Sequence, residues 1–156
     1  MYLAMKSLHI LAVVIFLGNI LTGAFWKAHA DRSGDPRIMA HTLDGIIRSD
    51  RYFTIPGVVL IVVLGVAAAI VGHFPILGTG WILYSIILLT ISGAAFMFKV
   101  APLQRQLRDV AQAGVRTGKL DGGTYRKFTV QWNIWGGVAS LTPIAAVVLM
   151  VYKSGG

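Results

Sequence analysis

Three long stretches of the chain carry no charged residue: Ser7 to Trp26 (20 residues), Tyr52 to Phe98 (47) and Phe128 to Tyr152 (25). A hydrocarbon core about 30 Å thick takes roughly 20 helical residues at 1.5 Å each. The first and third stretches therefore fit one spanning helix apiece. The middle one fits two, with His73-Phe74-Pro75-Ile76-Leu77-Gly78-Thr79-Gly80 as the break, because Pro and Gly punctuate helices. The pattern predicts an all-α integral membrane four-helix bundle with spans near residues 3–26, 52–73, 80–101 and 130–152, in a single domain over 1–156. The first stretch also has Lys6 before it and Ala28-His29-Ala30 after it, as a signal peptide would. Its apolar run is longer than the 7–15 residues usual there, and Trp26-Lys27 is a poor approach to a cleavage site, so it is read as a retained helix.

The connections have patterns of their own. Between Arg37 and Arg51, the residues Ile38, His41, Leu43, Ile46 and Ile47 alternate with polar ones as in a short interfacial helix. After Pro102, Leu103, Leu107, Val110 and Ala111 repeat at helical spacing, so the third helix is expected to run on until Gly118-Lys119-Leu120-Asp121-Gly122-Gly123. Tyr125 to Trp132 then returns to the membrane, with Trp132 and Trp135 as interface anchors. The expected fold thus has short interfacial helices in its two basic loops.

Helices in a bilayer pack through small and weakly polar residues. On helix 1, His9, Ala12, Phe16, Asn19, Gly23 and Trp26 recur at spacings of 3 and 4 and predict the inward face, with Leu11, Val14 and Leu21 toward lipid. Helix 3 offers Trp81, Ser85, Leu88, Ser92 and Ala95, helix 2 offers Gly65, Ala68 and Gly72, and helix 4 offers Asn133, Gly137 and Ser140 before a kink at Pro143.

Composition supports the membrane assignment. Hydrophobic residues make up 56% and charged residues 13%, against roughly 25% charged in a soluble domain. The net charge of +8 is concentrated, with 11 of the 14 Lys and Arg in the two connections 27–51 and 105–127. By the positive-inside rule those connections are cytoplasmic, and both termini and the 73–80 hairpin are extracytoplasmic. Positive-inside residues and anionic lipid contacts account for the charge, which excludes nucleic acid as the partner. Zero cysteines exclude disulfides, iron–sulfur clusters and cysteine nucleophiles. No Ser–His–Asp arrangement, phosphate loop or metalloprotease motif is present, so no catalytic residue and no metal site is assigned. No Asp or Glu is expected inside a span, which argues against a proton-coupled transporter.

The polar residues inside the spans are the candidate chemistry. His9 is the one histidine well within a span, and His73 opens the hairpin at the same end; together they are the candidate axial ligands of a haem b. Asn19, Ser85 and Ser92 are the remaining interior polar groups, suited either to interhelical hydrogen bonds or to a ligand path. Lys99, at the end of helix 3, is expected to snorkel.

Met1 to Leu11 followed by Phe16-Leu17-Gly18-Asn19-Ile20, with Phe25-Trp26-Lys27, Ala30-Asp31-Arg32, Asp50, Phe53-Thr54-Ile55-Pro56-Gly57, Leu64-Gly65, Trp81, Pro102-Leu103-Gln104 and Trp132 with Gly136, resembles a family of small bacterial integral membrane proteins. That resemblance implies a four-helix fold and no assigned activity. The Lys6-Ser7-Leu8-His9-Ile10 start is more distantly similar to the HemJ-type membrane protoporphyrinogen oxidases, which would place a haem-binding role on His9. The lysine that family uses after a Trp is missing here, where Trp81 is followed by Ile82-Leu83-Tyr84-Ser85. Copper-resistance membrane domains share the helix-1 His pattern, with their Trp-x-Gly-Gly replaced by Phe16-Leu17-Gly18-Asn19.

These readings lead to a small multi-pass protein of the bacterial cytoplasmic membrane. Its expected role is that of a non-catalytic accessory subunit or homo-oligomer, in contact through the Gly65, Ala68 and Gly72 surface. The alternatives are a haem b redox module ligated by His9, and a small-molecule or ion carrier centred on Asn19, Ser85 and Ser92.

Overall fold

The computed structural model describes residues 1–152 and, among them, contains helices and no strand. Four long helices account for nearly all of it: α1 (Tyr2–Ser33), α2 (Pro36–Val71), α3 (Gly80–Thr117) and α4 (Gly122–Tyr152). Each is long and apolar enough to cross a membrane. The connections are tight. Gly34 ends α1 at φ 67, a left-handed conformation that glycine adopts without a Cβ clash. Asp35 then caps α2 by accepting the Arg37 amide, which holds its carboxyl below the usual carboxylate range, and Pro36 follows at the first helical position. Gly118 ends α3 in the same left-handed way, and Asp121 caps α4 through the Thr124 amide.

The segment read as a separate interfacial helix is the opening of α2. Pro36–Ser49 runs into the span without a stop, and Ala101–Thr117 likewise completes α3. The amphipathic pattern of each has the same cause. Leu43 packs among Leu103, Leu107 and Ala111, so the two basic-end extensions bury their apolar faces against each other and not in headgroups. Leu43 and Leu107 are essentially inaccessible, a burial worth about 1.5–3 kcal/mol for each leucine where water surrounds the helices.

Both α2 and α3 pass through one widened turn. The Ile55 amide bonds to the Asp50 carbonyl and the Ala101 amide to the Phe96 carbonyl, five residues back instead of four. A proline follows each by one residue, Pro56 and Pro102. Proline has no N–H and its ring collides with the carbonyl four residues earlier, so a wider turn lets the helix continue without a break.

Away from the basic end the helices pack as two hairpins. In α1–α2, Phe16 packs with Ala12 and Ile61, and Gly57 lets Phe16 approach so closely that an added Cβ would lie 3.3 Å from it. In α3–α4, Ser85 Oγ, which donates to the Trp81 carbonyl of its own helix at 2.7 Å, also lies 3.3 Å from the Ala146 carbonyl, and Ser92 Oγ donates to the Ala139 carbonyl at 2.6 Å. The Ser92 bond answers Pro143, which lies inside α4 and cannot donate to Ala139. A neighbouring hydroxyl supplies the missing donor, which is how membrane helices tolerate proline.

Candidate ligand site

The bundle is most polar on its inside where the two hairpins meet near the basic end. Asn19, one turn beyond Phe16 on the inward face of α1, directs its amide at the widened turn of α2. Its Nδ2 donates to Asp50 Oδ1 at 3.0 Å and to Thr54 Oγ1 at 2.9 Å. Thr54 Oγ1 donates to the same Asp50 oxygen at 2.6 Å, and Gln104 Nε2 of α3 donates to Oδ2 at 2.9 Å. Asp50 is 7% exposed, and among the described residues no Lys or Arg pairs with it. An ionised carboxylate offers about four lone-pair positions, of which three are filled here by neutral donors.

Asp50 stands outside the charge-free stretches, at the basic end, yet its side chain is buried in the interior of the bundle. It lies just before the second charge-free stretch, between Arg48 and Arg51. Continuous helix through Pro36–Ser49 and the widened turn bring it to the wall of the interior. A cavity of about 220 Å³ adjoins it between α1 and α4, lined by Asn19, Asp50, Gln104, Trp132 and Ser140 among others. A second, of about 150 Å³, lies on the α2–α3 side and is lined by Thr54 and Ser92. Ile20, Phe96 and Ala139 line both, so the two are parts of one seam between the hairpins.

One turn beyond Gly23, a buried cation ties α1 to α4. Lys27, 2% exposed, donates to Asp31 at 2.6 Å and to Thr129 at 3.3 Å. Its Nζ lies over the rings of Tyr125 at 5.4 Å and Trp132 at 5.1 Å, and Tyr125 donates its hydroxyl to Asp31 at 2.7 Å. Two expectations change here. Trp26 is 52% exposed and Lys27 takes the inward position, because the step from Gly23 is four residues and not three. Trp132 is a core residue beneath Lys27 and not an interface anchor, while Trp135 is more exposed and carries Lys99 at 5.5 Å over its ring.

The other candidates are placed as follows. His9 Nδ1 lies 2.9 Å from the Ile61 carbonyl, and its ring fills the space above Gly65, where an added Cβ would come within 3.0 Å of it. His73 is exposed in the turn after α2 at φ 56, eight residues (roughly 12 Å of helical rise) beyond Gly65. Neither histidine lines either cavity. Ser92 spends its hydroxyl on the Ala139 carbonyl of α4, and Ser85 shares its own between the Trp81 carbonyl of α3 at 2.7 Å and, at 3.3 Å, the Ala146 carbonyl of α4. The surface of small residues on helix 2 is used within the chain, with Gly65 under His9 and Gly72 against Phe74. Asn133 is exposed on α4 beside the cavity.

Four apolar helices enclosing a polar interior define an integral membrane protein of the helical-bundle class. The chain belongs to the family described as predicted integral membrane protein (DUF2269), whose family model matches residues 3–154. Neither a curated protein nor a solved structure matches the chain.

Proposed function

We propose that this protein binds a small molecule in the seam between its two hairpins, as a membrane carrier or ligand-responsive protein does, and carries out no covalent chemistry. The supporting observation is the Asp50 carboxylate, held by donors from three helices on the wall of the 220 Å³ cavity. Ionisable groups that face the interior of a membrane bundle are costly and are by default candidates for binding paths. Asp50 joins α1, α2 and α3 through Asn19, Thr54 and Gln104, as Ser85, Ser92 and His9 join their own neighbours, and unlike them it is an acidic group on the wall of the larger cavity. This reading takes up the carrier alternative with Asn19 at its centre and moves Ser85 out of it, while Ser92 lines the smaller cavity of the same seam. His9 reads as a packing group on Gly65, so the haem alternative draws no support from the cavities. The bilayer surrounds the protein, with the basic end toward the cytoplasm by the positive-inside rule.

Natural absence of cysteine makes the test direct. Ser140→Cys, at the cavity wall, should react with neutral methyl methanethiosulfonate in membrane vesicles. Leu141→Cys, on the exposed apolar face of α4, should react at least about tenfold more slowly, because a thiol in hydrocarbon stays un-ionised. Equal rates, or no reaction at Ser140→Cys, would remove the cavity as a binding site.

A further inference from the structure

Charge and wall chemistry narrow the ligand, on the understanding that the binding reading above holds. The Asp50 carboxylate is buried without a cationic partner among the described residues, and its Oδ2 accepts from Gln104 alone. A carboxylate in a low-dielectric site is stable when neutral donors and one positive charge surround it. The donors are present; the charge is what a ligand can bring. The rest of the wall is mostly apolar, with Ile20, Phe96 and Val100 on one side and Ala139 on another. A ligand that satisfies both parts is an amphiphilic cation.

Small residues form the cavity wall where α1 and α4 meet. Gly23, Ala24, Gly136 and Gly137 line it there, all exposed or half-buried, and at Gly136 and Gly137 an added Cβ would meet nothing within 4 Å. A passage between these small residues would lead to lipid, the phase in which an amine with an apolar body concentrates. Lys27 does not compete for Asp50, since Asp31, Thr129 and two aromatic rings already hold it.

We infer that the cavity binds lipophilic primary or secondary ammonium ions, entering from the bilayer between α1 and α4 and anchored by Asp50. The probes are hexylammonium and hexanol, alike in body and different in charge, tested for protection of Ser140→Cys against methyl methanethiosulfonate. Hexylammonium is expected to slow labelling at least about tenfold and hexanol less than about twofold. Independently, cationic aminoethyl methanethiosulfonate should outpace anionic sulfonatoethyl methanethiosulfonate at Ser140→Cys by about tenfold or more, relative to the same ratio at Leu141→Cys. Asp50→Asn should bring that ratio near one, and the protection test in the Asp50 background keeps the idea testable if that variant is unstable. Equal protection by both probes, or no charge preference, overturns the cationic ligand while leaving a binding cavity. Failure of the neutral reagent to label Ser140→Cys at all removes the cavity itself.

Discussion

Ser92→Ala tests the structure where its logic is most specific. Pro143 leaves the Ala139 carbonyl without its helical donor, and Ser92 Oγ supplies one at 2.6 Å from the neighbouring helix, in a site 2% exposed. Removing the hydroxyl leaves a buried acceptor unpaired, which costs about 1–3 kcal/mol in proteins generally. Interhelical hydrogen bonds in a bilayer average only about 0.6 kcal/mol and reach about 1.7, because separated helices find other partners. An orphaned carbonyl puts this case toward the upper end, about 1–1.5 kcal/mol. Pro143→Ala restores an N–H four residues after Ala139, so in that background Ser92→Ala should cost less than about 0.6 kcal/mol. The double-mutant cycle then gives a coupling of about 1 kcal/mol, above the usual error of additivity. Unfolding equilibria of the four proteins in bicelles measure it. Thr90→Ala is the control, since its hydroxyl bonds only within its own helix, to Ile86, on the exposed face. The same cost for Ser92→Ala in both backgrounds, or a cost no larger than that of Thr90→Ala, would refute the account of how α4 accommodates its proline.

Two further predictions use the same unfolding assay. Gly65→Leu places a side chain where the His9 ring stands 3.0 Å from the added Cβ; overpacking should cost about 1–3 kcal/mol, and His9→Ala in the same chain should recover most of it. Lys27→Met removes the cation from Asp31 and from two aromatic rings. The expected loss is about 1–3 kcal/mol, below the roughly 3–5 kcal/mol of a fully buried pair because Asp31 is 24% exposed, and adding Asp31→Asn should return part of it.

The spans could be read from the chain because a bilayer punishes charge, so charge-free stretches map directly onto helices. The inward faces of α1 and α3 were legible for a related reason: Ala12, Phe16, Asn19, Ser85 and Ser92 recur at helical spacing among residues with no other reason to be polar or small. The amphipathic pattern of 37–51 was equally visible, but a half-apolar helix looks the same whether its apolar face meets headgroups or another helix. Only the matching pattern after Pro102 hinted that Leu43 and Leu107 had each other. Asp50 is one of the residues that carry the family resemblance, but its burial is masked by its neighbours. Beside Arg48 and Arg51 it looks like one more loop charge, and nothing in local periodicity reveals that α2 is continuous through it.

A usable signal for the site lay in the prolines. Pro56 stands six residues after Asp50, Pro102 six after Phe96, and Pro143 four after Ala139. Each lies inside a long helix, and each forces either a wider turn or a carbonyl in need of a donor. All three defects fall on the seam between the hairpins, where Phe96 and Ala139 line both cavities and Asp50 and Thr54 line one each. Regular helices could pack that seam shut with small residues, as α1 and α2 do around Gly57 and Gly65. Widened turns bring Asp50 and Phe96 to the seam and hold the helices apart beside them. The positions where the backbone departs from regular helix are thus the positions where the bundle has room for a ligand.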